Sequence, residues 1–268
     1  MSLLPLAGRV AVVTGVSRRR GIGFAVASRL AAMGASLLIH HYRPHDEDQP
    51  WGAGAEAVDD LVAELRAQLS FGSSLEELSL DLRHRDAPDQ LIDAAVAAFG
   101  HLDILVCNHA QSGQDGPLAE VTAEMLDSHW QVNTRSTVLA TRAFAEQHDG
   151  REGGRVVWMT SGRATGAMMT EIAYVASKAA LAGLTASVAD GLIDRGIVLN
   201  TVNPGPVNTG YLDDDLLQGD QRKLLEHFPS RRFGEPDDPA RLIAWLVSDE
   251  GRWVVGQVID SEGGFRRW

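Results

Sequence analysis

Tyr174-Val175-Ala176-Ser177-Lys178 is the segment with the most chemistry in it. A spacing of four puts the phenol and the ammonium on one face of a helix. A free phenol titrates near ~10, too high for efficient proton exchange at neutral pH. A nearby ammonium favours the phenolate and lowers that value, which is the physical reason to pair the two. On its own, Y-x-x-x-K is equally a surface helix pair. Ser161 follows the apolar run Arg155–Met159. A hydroxyl there can hydrogen-bond a substrate carbonyl, although Ser161 and its neighbour Thr160 are also ordinary residues for the turn that ends a strand.

A second constellation lies near the start of the chain: Thr14-Gly15-Val16-Ser17-Arg18-Arg19-Arg20-Gly21-Ile22-Gly23. It follows the apolar run Arg9–Thr14 and precedes a helical pattern. Glycines let such a turn approach a pyrophosphate, and the helix N-terminus offers free N–H groups and the positive end of its dipole. Gly15, Gly21 and Gly23 depart from the G-x-G-x-x-G spacing. The three arginines bring positive charge to the same turn, with at least one of them expected to be plain solvated charge. After the second apolar run, Ser36–His41, an acid would bind a ribose 2′-hydroxyl and repel a 2′-phosphate. This sequence has His41, Tyr42 and Arg43 there, and no acid before Asp46. With Arg18 or Arg19 close by, a guanidinium can pair a 2′-phosphate, so the expected cofactor is NADP(H) rather than NAD(H).

These groups need a scaffold that alternates strands with helices. Strands are expected at Arg9–Thr14, Ser36–His41, Leu75–Leu80, Asp103–Cys107, Arg155–Met159, Ile197–Val202 and Gln257–Ile259. Helices are expected at Phe24–Met33, Glu56–Ser70, Pro88–Phe99, Thr122–His148 and Ala173–Asp194. Residues 43–55, rich in Pro and Gly, read as a loop. That order implies parallel βαβ units in a doubly wound, Rossmann-like α/β sheet of about seven strands, with ligands beyond the carboxyl ends of the strands. There is no short repeat and no low-complexity linker, so residues 1–268 read as a single domain, with a substrate lid at about residues 207–233.

The length of 268 residues allows a sizeable core. A formal net charge of −12 argues against a general nucleic-acid binder. Cys107 is the one cysteine, so no intramolecular disulfide forms, and a reducing, cytoplasmic setting is expected. Met1–Val10 does not read as a secretory signal. No uninterrupted apolar run reaches ~18 residues, so no membrane span is expected. No Cys/His cluster has zinc spacing, and His40, His41 and His45 read as surface histidines.

The order Thr14-Gly15…Gly21-Ile22-Gly23, Asp81, Cys107-Asn108-His109-Ala110, Asn133, Ser161, Tyr174/Lys178 and Asn203-Pro204-Gly205 resembles the short-chain dehydrogenase/reductase family, from Gly8 to Gly264. Each motif is weak alone; their joint order and spacing are specific. The resemblance implies that Tyr174 is the general acid in reduction and the base in oxidation. It implies that Lys178 lowers the Tyr174 pKa and holds the nicotinamide ribose, that Ser161 polarises the carbonyl, and that Asn133 holds a water linking Lys178 to solvent. Asn133 in a purely bridging role between helix and strand fits as well. Gly15, Ser17, Arg18, Arg19, Gly21, Ile22 and Gly23 would surround the phosphates, with His41, Tyr42 and Arg43 at the 2′ end. Asp81 and Leu82 would meet the adenine, and Asn108 would line the channel. Pro204, Gly205, Val207 and Thr209 would pack around the nicotinamide, with Tyr174 and Lys178 also on the cofactor.

Three departures from the family pattern stand out. The glycine turn is two residues longer than T-G-x-x-x-G-x-G, so the arginine that meets a 2′-phosphate is not assigned. Cys107-Asn108-His109-Ala110 replaces N-N-A-G, and His109 either fills space beside the cofactor or approaches the reacting centre. Ser261-Glu262-Gly263-Gly264 stands where Asp-Gly-Gly is usual. The overall pattern is similar to 3-oxoacyl-thioester reductases, with Arg231 and Arg232 as candidate contacts for a phosphopantetheine-type substrate. The expected activity is reduction of a small-molecule carbonyl, ketone or 3-oxoacyl, to an alcohol. The alternatives are an NAD-linked alcohol dehydrogenase working oxidatively and a non-catalytic NADP-binding regulator. The family's usual dimer or tetramer leads to an expected homo-oligomer, for which Leu181, Leu184 and Val188 suit a seam or an internal core.

Overall fold

A computed structural model describes residues 4–49, 52–54, 57–161, 168–212 and 225–265. Seven parallel strands form one sheet: β1 (Val10–Thr14), β2 (Ser36–His41), β3 (Leu75–Ser79), β4 (Ile104–Cys107), β5 (Gly154–Met159), β6 (Ile197–Asn203) and β7 (Val258–Asp260), in the order β3-β2-β1-β4-β5-β6-β7. The chain winds outward from β1 to β3, then returns to the other side of β1 at β4. Val12 lies opposite both Leu38 and Leu105 there. The direction of winding reverses at this seam, where a ligand crevice opens.

All five residues of β1 are buried, as a parallel sheet covered on both faces requires. Alternation then divides the core. Ala11 and Val13 join Leu37, Ile39 and the apolar faces of α1 (Ile22–Ala32) and α3 (Val58–Gln68). Val10 and Val12 join Leu38, Leu105 and Trp158 under α4 (Ala87–Phe99), α6 (Ser136–Gln147) and α7 (Ile172–Ile193). Leu181 lies in this second cluster, and Leu184 and Val188 pack against it.

Three elements differ from the sequence reading. Residues 43–47 form a short helix, α2 (Arg43–Glu47), within the expected loop. Pro44 sits in its first turn, where no N–H is needed, so the proline does not break it. The expected helix Thr122–His148 is α5 (Ala123–His129), a π-helical turn (Trp130–Arg135) and α6. The π turn widens the backbone by one residue and carries Asn133; such bulges concentrate at functional sites. The helix α8 (Asp237–Val247) was not anticipated.

By length and composition α7 could cross a membrane, with mean hydropathy 1.4 and 33% of its most apolar window buried. Here it lies along the sheet and docks on β6 and the π turn. Leu212, Phe228, Phe233 and Phe265, with Tyr211 and Leu225, form a third, small cluster that joins part of the expected lid to the C-terminal region. Residues 213–224 of that lid, the start of the expected helix at Glu56, and Trp268 lie outside the described residues.

Candidate active site

Ser161 emerges from the carboxyl end of β5, with its hydroxyl near enough to the Tyr174 phenol to oppose the rise in its pKa. Tyr174 is held from several directions. The Asp115 carboxylate accepts the backbone N–H groups of Gly116 (2.8 Å), Ala173 (3.0 Å) and Tyr174 (2.7 Å), closing the N-terminal turn of α7. Free N–H groups at a helix start need such an acceptor. Further along α7, Thr160 donates to the Lys178 carbonyl at 2.8 Å and Thr134 to the Ser177 carbonyl at 2.8 Å. The helix bearing Tyr174 and Lys178 is thereby pinned to β5 and to the π turn.

One expected effect is missing. Burial raises the Tyr174 pKa; Ser161 opposes that shift and Glu171 adds to it, and Lys178 is not among the groups acting on it. The Lys178 ammonium points elsewhere, donating to the Met159 carbonyl at 3.0 Å, and burial lowers its own pKa to about 8. As it stands, the phenol is a proton donor and not a ready-made phenolate.

Asn133 is fully buried. Its amide accepts from the Gln111 N–H at 2.6 Å and donates to the Gln111 carbonyl at 3.1 Å and to Ser177 Oγ at 2.9 Å. Its carbonyl accepts the Thr137 hydroxyl at 2.9 Å. The side chain joins the π turn, the β4 loop and α7, which is the bridging role.

On the opposite side, Gly15 has φ +74°, and a Cβ there would lie 2.9 Å from Asn108 Nδ2 and from the His109 Cα. A Cβ on Gly23 would meet the Gly15 carbonyl oxygen at 2.4 Å. The glycines let the turn press onto Asn108, which donates to the carbonyls of Thr14 (3.0 Å) and Gly15 (3.2 Å). The first turn of α1 then faces the crevice with Gly21 and Ile22 on its wall. A glycine cradle at a helix N-terminus fits the pyrophosphate of a dinucleotide.

His109 ties the two sides together. One ring nitrogen is 2.7 Å from Thr14 Oγ1; the other is 2.7 Å from Ser136 Oγ and 3.0 Å from the Val132 carbonyl. Burial pushes its pKa well below 6.5, so it sits neutral between the end of β1 and the π turn.

A cavity of about 810 Å³ runs between the two sides. Its walls include Gly15, Ser17, Arg18, Gly21, Ile22, Tyr42, Asp81, Leu82, Asn108, Ser161, Tyr174, Lys178, Pro204, Gly205, Val207 and Thr209. Gly23 and Asn133 lie behind the walls. Arg19, His41 and Arg43 are turned away: Arg19 pairs with Glu64 at 2.8 Å, Arg43 with Glu47 at 3.6 Å and His41 with Glu77 at 3.5 Å. Strand alternation explains the histidines, because His40 faces the cavity and His41 the other side. Neither is a surface residue. His40 Nε2 is 2.8 Å from the Leu80 carbonyl, and burial lowers its pKa to about 4.

Arg18 is the arginine of the long turn that enters the wall. It pairs with Asp46 at 3.1 Å and donates to the Thr209 carbonyl at 3.0 Å. The sequence reading placed Asp46 beyond the site; α2 folds it back onto the wall. Arg232 pairs with Asp238 at 2.7 Å, and neither it nor Arg231 lines the cavity. Tyr211, within the expected lid, lines the cavity. Asp115, Glu171, His40, His45 and Gln111 were not anticipated as site residues, and the last four line the cavity as well.

A family described as enoyl-(acyl carrier protein) reductase matches residues 15–266. The uncharacterized oxidoreductase YjdA of Bacillus subtilis is 34% identical over 261 residues, covering 97% of both chains. An NADPH-dependent aldehyde reductase-like protein of Arabidopsis thaliana is 32% identical over 267 residues, covering 98% of this chain and 96% of that protein. A short-chain dehydrogenase from Burkholderia cenocepacia, solved in complex with NADP, superposes with a TM-score of 0.80 at 34% identity, covering 97% of this chain and 98% of that one.

Proposed function

This chain belongs to the short-chain dehydrogenase/reductase family of oxidoreductases, and we propose that it reduces a carbonyl compound, ketone or 3-oxoacyl, to the alcohol with NADP(H). The observation that carries this reading is that Ser161 and Tyr174 line one cavity wall together, with Lys178 one helical turn further along. Two hydroxyls on one wall can both reach a single carbonyl oxygen. The nicotinamide cofactor, when bound, supplies the hydride to the carbonyl carbon.

Tyr174 gives its proton to the oxygen as charge develops there, and Ser161 donates a hydrogen bond to the same atom. A well-placed donor of this kind contributes roughly 3 kcal/mol, and the proton transfer about 10²–10⁴-fold. Burial keeps the phenol protonated until it is needed. Lys178, whose pKa burial lowers to about 8, is placed to hold ribose hydroxyls and return a proton towards Tyr174. Gly15, Ser17, Gly21 and Ile22 would hold the pyrophosphate, Asp81 and Leu82 the adenine, and Pro204, Gly205, Val207 and Thr209 the nicotinamide end. Arg18 is the candidate for the 2′-phosphate. Arg19, His41 and Arg43 drop out of that role because their side chains pair away from the cavity.

NAD(H) has one observation in its favour: Asp46 stands on the cavity wall and already pairs with Arg18. A titration of NADPH against NADH, followed by nucleotide fluorescence and then by a panel of ketones, acyl thioesters and enoyl thioesters, separates the readings. Tighter NADPH binding with oxidation on a carbonyl substrate is the expected result. A preference for NADH removes Arg18 from its role, and binding without turnover favours a regulator.

We further propose a homo-oligomer, dimer or tetramer, because α7 is apolar along its length while 33% of its most apolar window is buried in one copy. A single buried thiol, Cys107, pushed up to about 12 by burial, suits a reducing cytoplasm.

A further inference from the structure

Glu171 is not used by the mechanism above. It ends the segment leading into α7, one turn before Tyr174, and lines the same cavity as Ser161 and Tyr174. No described residue hydrogen-bonds or ion-pairs its carboxylate. Burial and, after it, the Asp115 charge raise its pKa, the buried His129 opposes them, and its own charge acts on Tyr174 and Tyr211 on the cavity wall. The Asp115 carboxylate is committed to the backbone N–H groups of Gly116 and of Ala173 and Tyr174 at the start of α7. Arg18, on the cavity wall, is committed to Asp46 and Thr209.

Among the described residues, the reacting end of the cavity presents a carboxylate with no hydrogen-bond or ion-pair partner, and Lys178, two helical turns further along α7, is committed to the Met159 carbonyl. A carboxylate only accepts hydrogen bonds. It favours a substrate that brings a donor, and donors to charged acceptors form the stronger class of hydrogen bond. It opposes a second anion: like charges about 5 Å apart at an effective dielectric of ~20 disfavour binding by on the order of a hundredfold. We infer that Glu171 is a specificity-determining residue that selects carbonyl compounds bearing a hydroxyl or ammonium group one or two carbons from the carbonyl, and rejects carboxylates. The inference rests on the reductase reading and narrows its substrate class, placing hydroxyketones above 3-oxoacyl compounds, which carry no such donor.

The test compares small ketones of nearly equal size: hydroxyacetone, aminoacetone, butanone and acetoacetate, with the wild-type enzyme and with Glu171→Gln and Glu171→Leu. Ratios of kcat/KM within one protein do not depend on how much of it is folded. The wild type is expected to favour hydroxyacetone and aminoacetone over butanone by about tenfold or more, and to use acetoacetate worst. Glu171→Gln removes the charge and keeps an acceptor, so it should lose the preference for aminoacetone, keep part of that for hydroxyacetone, and raise acetoacetate relative to butanone about tenfold. Glu171→Leu should lose both donor preferences. Ratios that stay within about twofold in both variants overturn the inference. If no ketone is turned over by any of the three proteins, the reductase reading fails. Calorimetric binding of 2-aminoethanol then decides Glu171 separately: weakening of about tenfold in Glu171→Gln supports its role, and unchanged affinity rejects it.

Discussion

On the side of the cavity built by β5, α7 and the π turn, the reacting groups are held by buried hydrogen bonds: Thr160 and Thr134 on α7, Asn133 on Gln111 and Ser177, and Asp115 on three backbone N–H groups. On the side built by the glycine turn and α2, the arginines are held by ion pairs: Arg18 with the buried Asp46 and, more open to water, Arg19 with Glu64 and Arg43 with Glu47. Buried hydrogen bonds are strengthened by low dielectric and are insensitive to salt. Exposed pairs contribute little and are screened. The difference divides the labour. Positions that carry out proton transfer are over-determined, whereas the arginine side can change partners when an anion arrives.

The sharpest way to break this comparison is Tyr174→Phe. It removes the proton and leaves the buried framework in place, so turnover should fall by about a thousandfold while NADPH affinity stays within a few-fold. Single-turnover kinetics beside a nucleotide titration would show it; a variant keeping more than a tenth of its rate would mean another group is the acid.

A second test acts on the buried side through pH. His40 is neutral in the fold, with a pKa lowered to about 4, and His109 lies well below 6.5. The unfolded chain therefore takes up these protons first, near pH 6.5. Stability is full above that pH and is lost as pH falls from 6.5 towards 4, by about 3 kcal/mol for His40 alone. Urea midpoints at pH 7.5, 6 and 5 follow this, and His40→Asn should flatten the slope. An unchanged midpoint in the wild type would contradict the buried, neutral state.

Asp115→Ala probes the framework more gently. Losing the N-terminal acceptor of α7 should lower stability by about 0.5–2 kcal/mol. A looser Tyr174 should lower kcat about tenfold, with the KM for nucleotide unchanged. If KM moves and kcat does not, Asp115 belongs to the binding side.

The smallest effects sharpen the ion-paired side. Arg18→Ala should weaken NADPH about tenfold, and added salt should reduce the gap. Arg19→Ala, with its charge at the surface, should change affinity by less than about twofold. The reverse order would move the 2′-phosphate contact to Arg19.

Where the sequence was legible, the signal was local and periodic. The inner strands were located to within a residue, because a parallel strand buried on both faces must be apolar throughout; the edge strand β3, Leu75-Glu76-Glu77-Leu78-Ser79, is largely exposed and is not bound by that rule. Tyr174 and Lys178 were found by helix spacing, and Gly15 by the turn it had to make. Local pattern failed where a residue's meaning depends on a distant segment. Asp46 read as too late in the chain until α2 folded it back. His41 and His40 differ by one position, and only the register of β2 says which faces the crevice. The widened turn at Trp130–Arg135 has no signature in the apolar pattern of residues 122–148.

The sequence by itself determined the fold class and the family, and it named the trio proposed to handle the proton, because these rest on residue type, short spacing and order along the chain. The tertiary structure decided the partners. It gave Arg18 to the cavity and Arg19 to Glu64, bonded Lys178 to the Met159 carbonyl, set His109 between β1 and the π turn, and put Glu171, without a partner among the described residues, on the wall that carries Ser161 and Tyr174. Charge, burial and hydrogen-bond satisfaction depend on distance in space, and residues more than a hundred positions apart come within ~3 Å only when the sheet has closed around them.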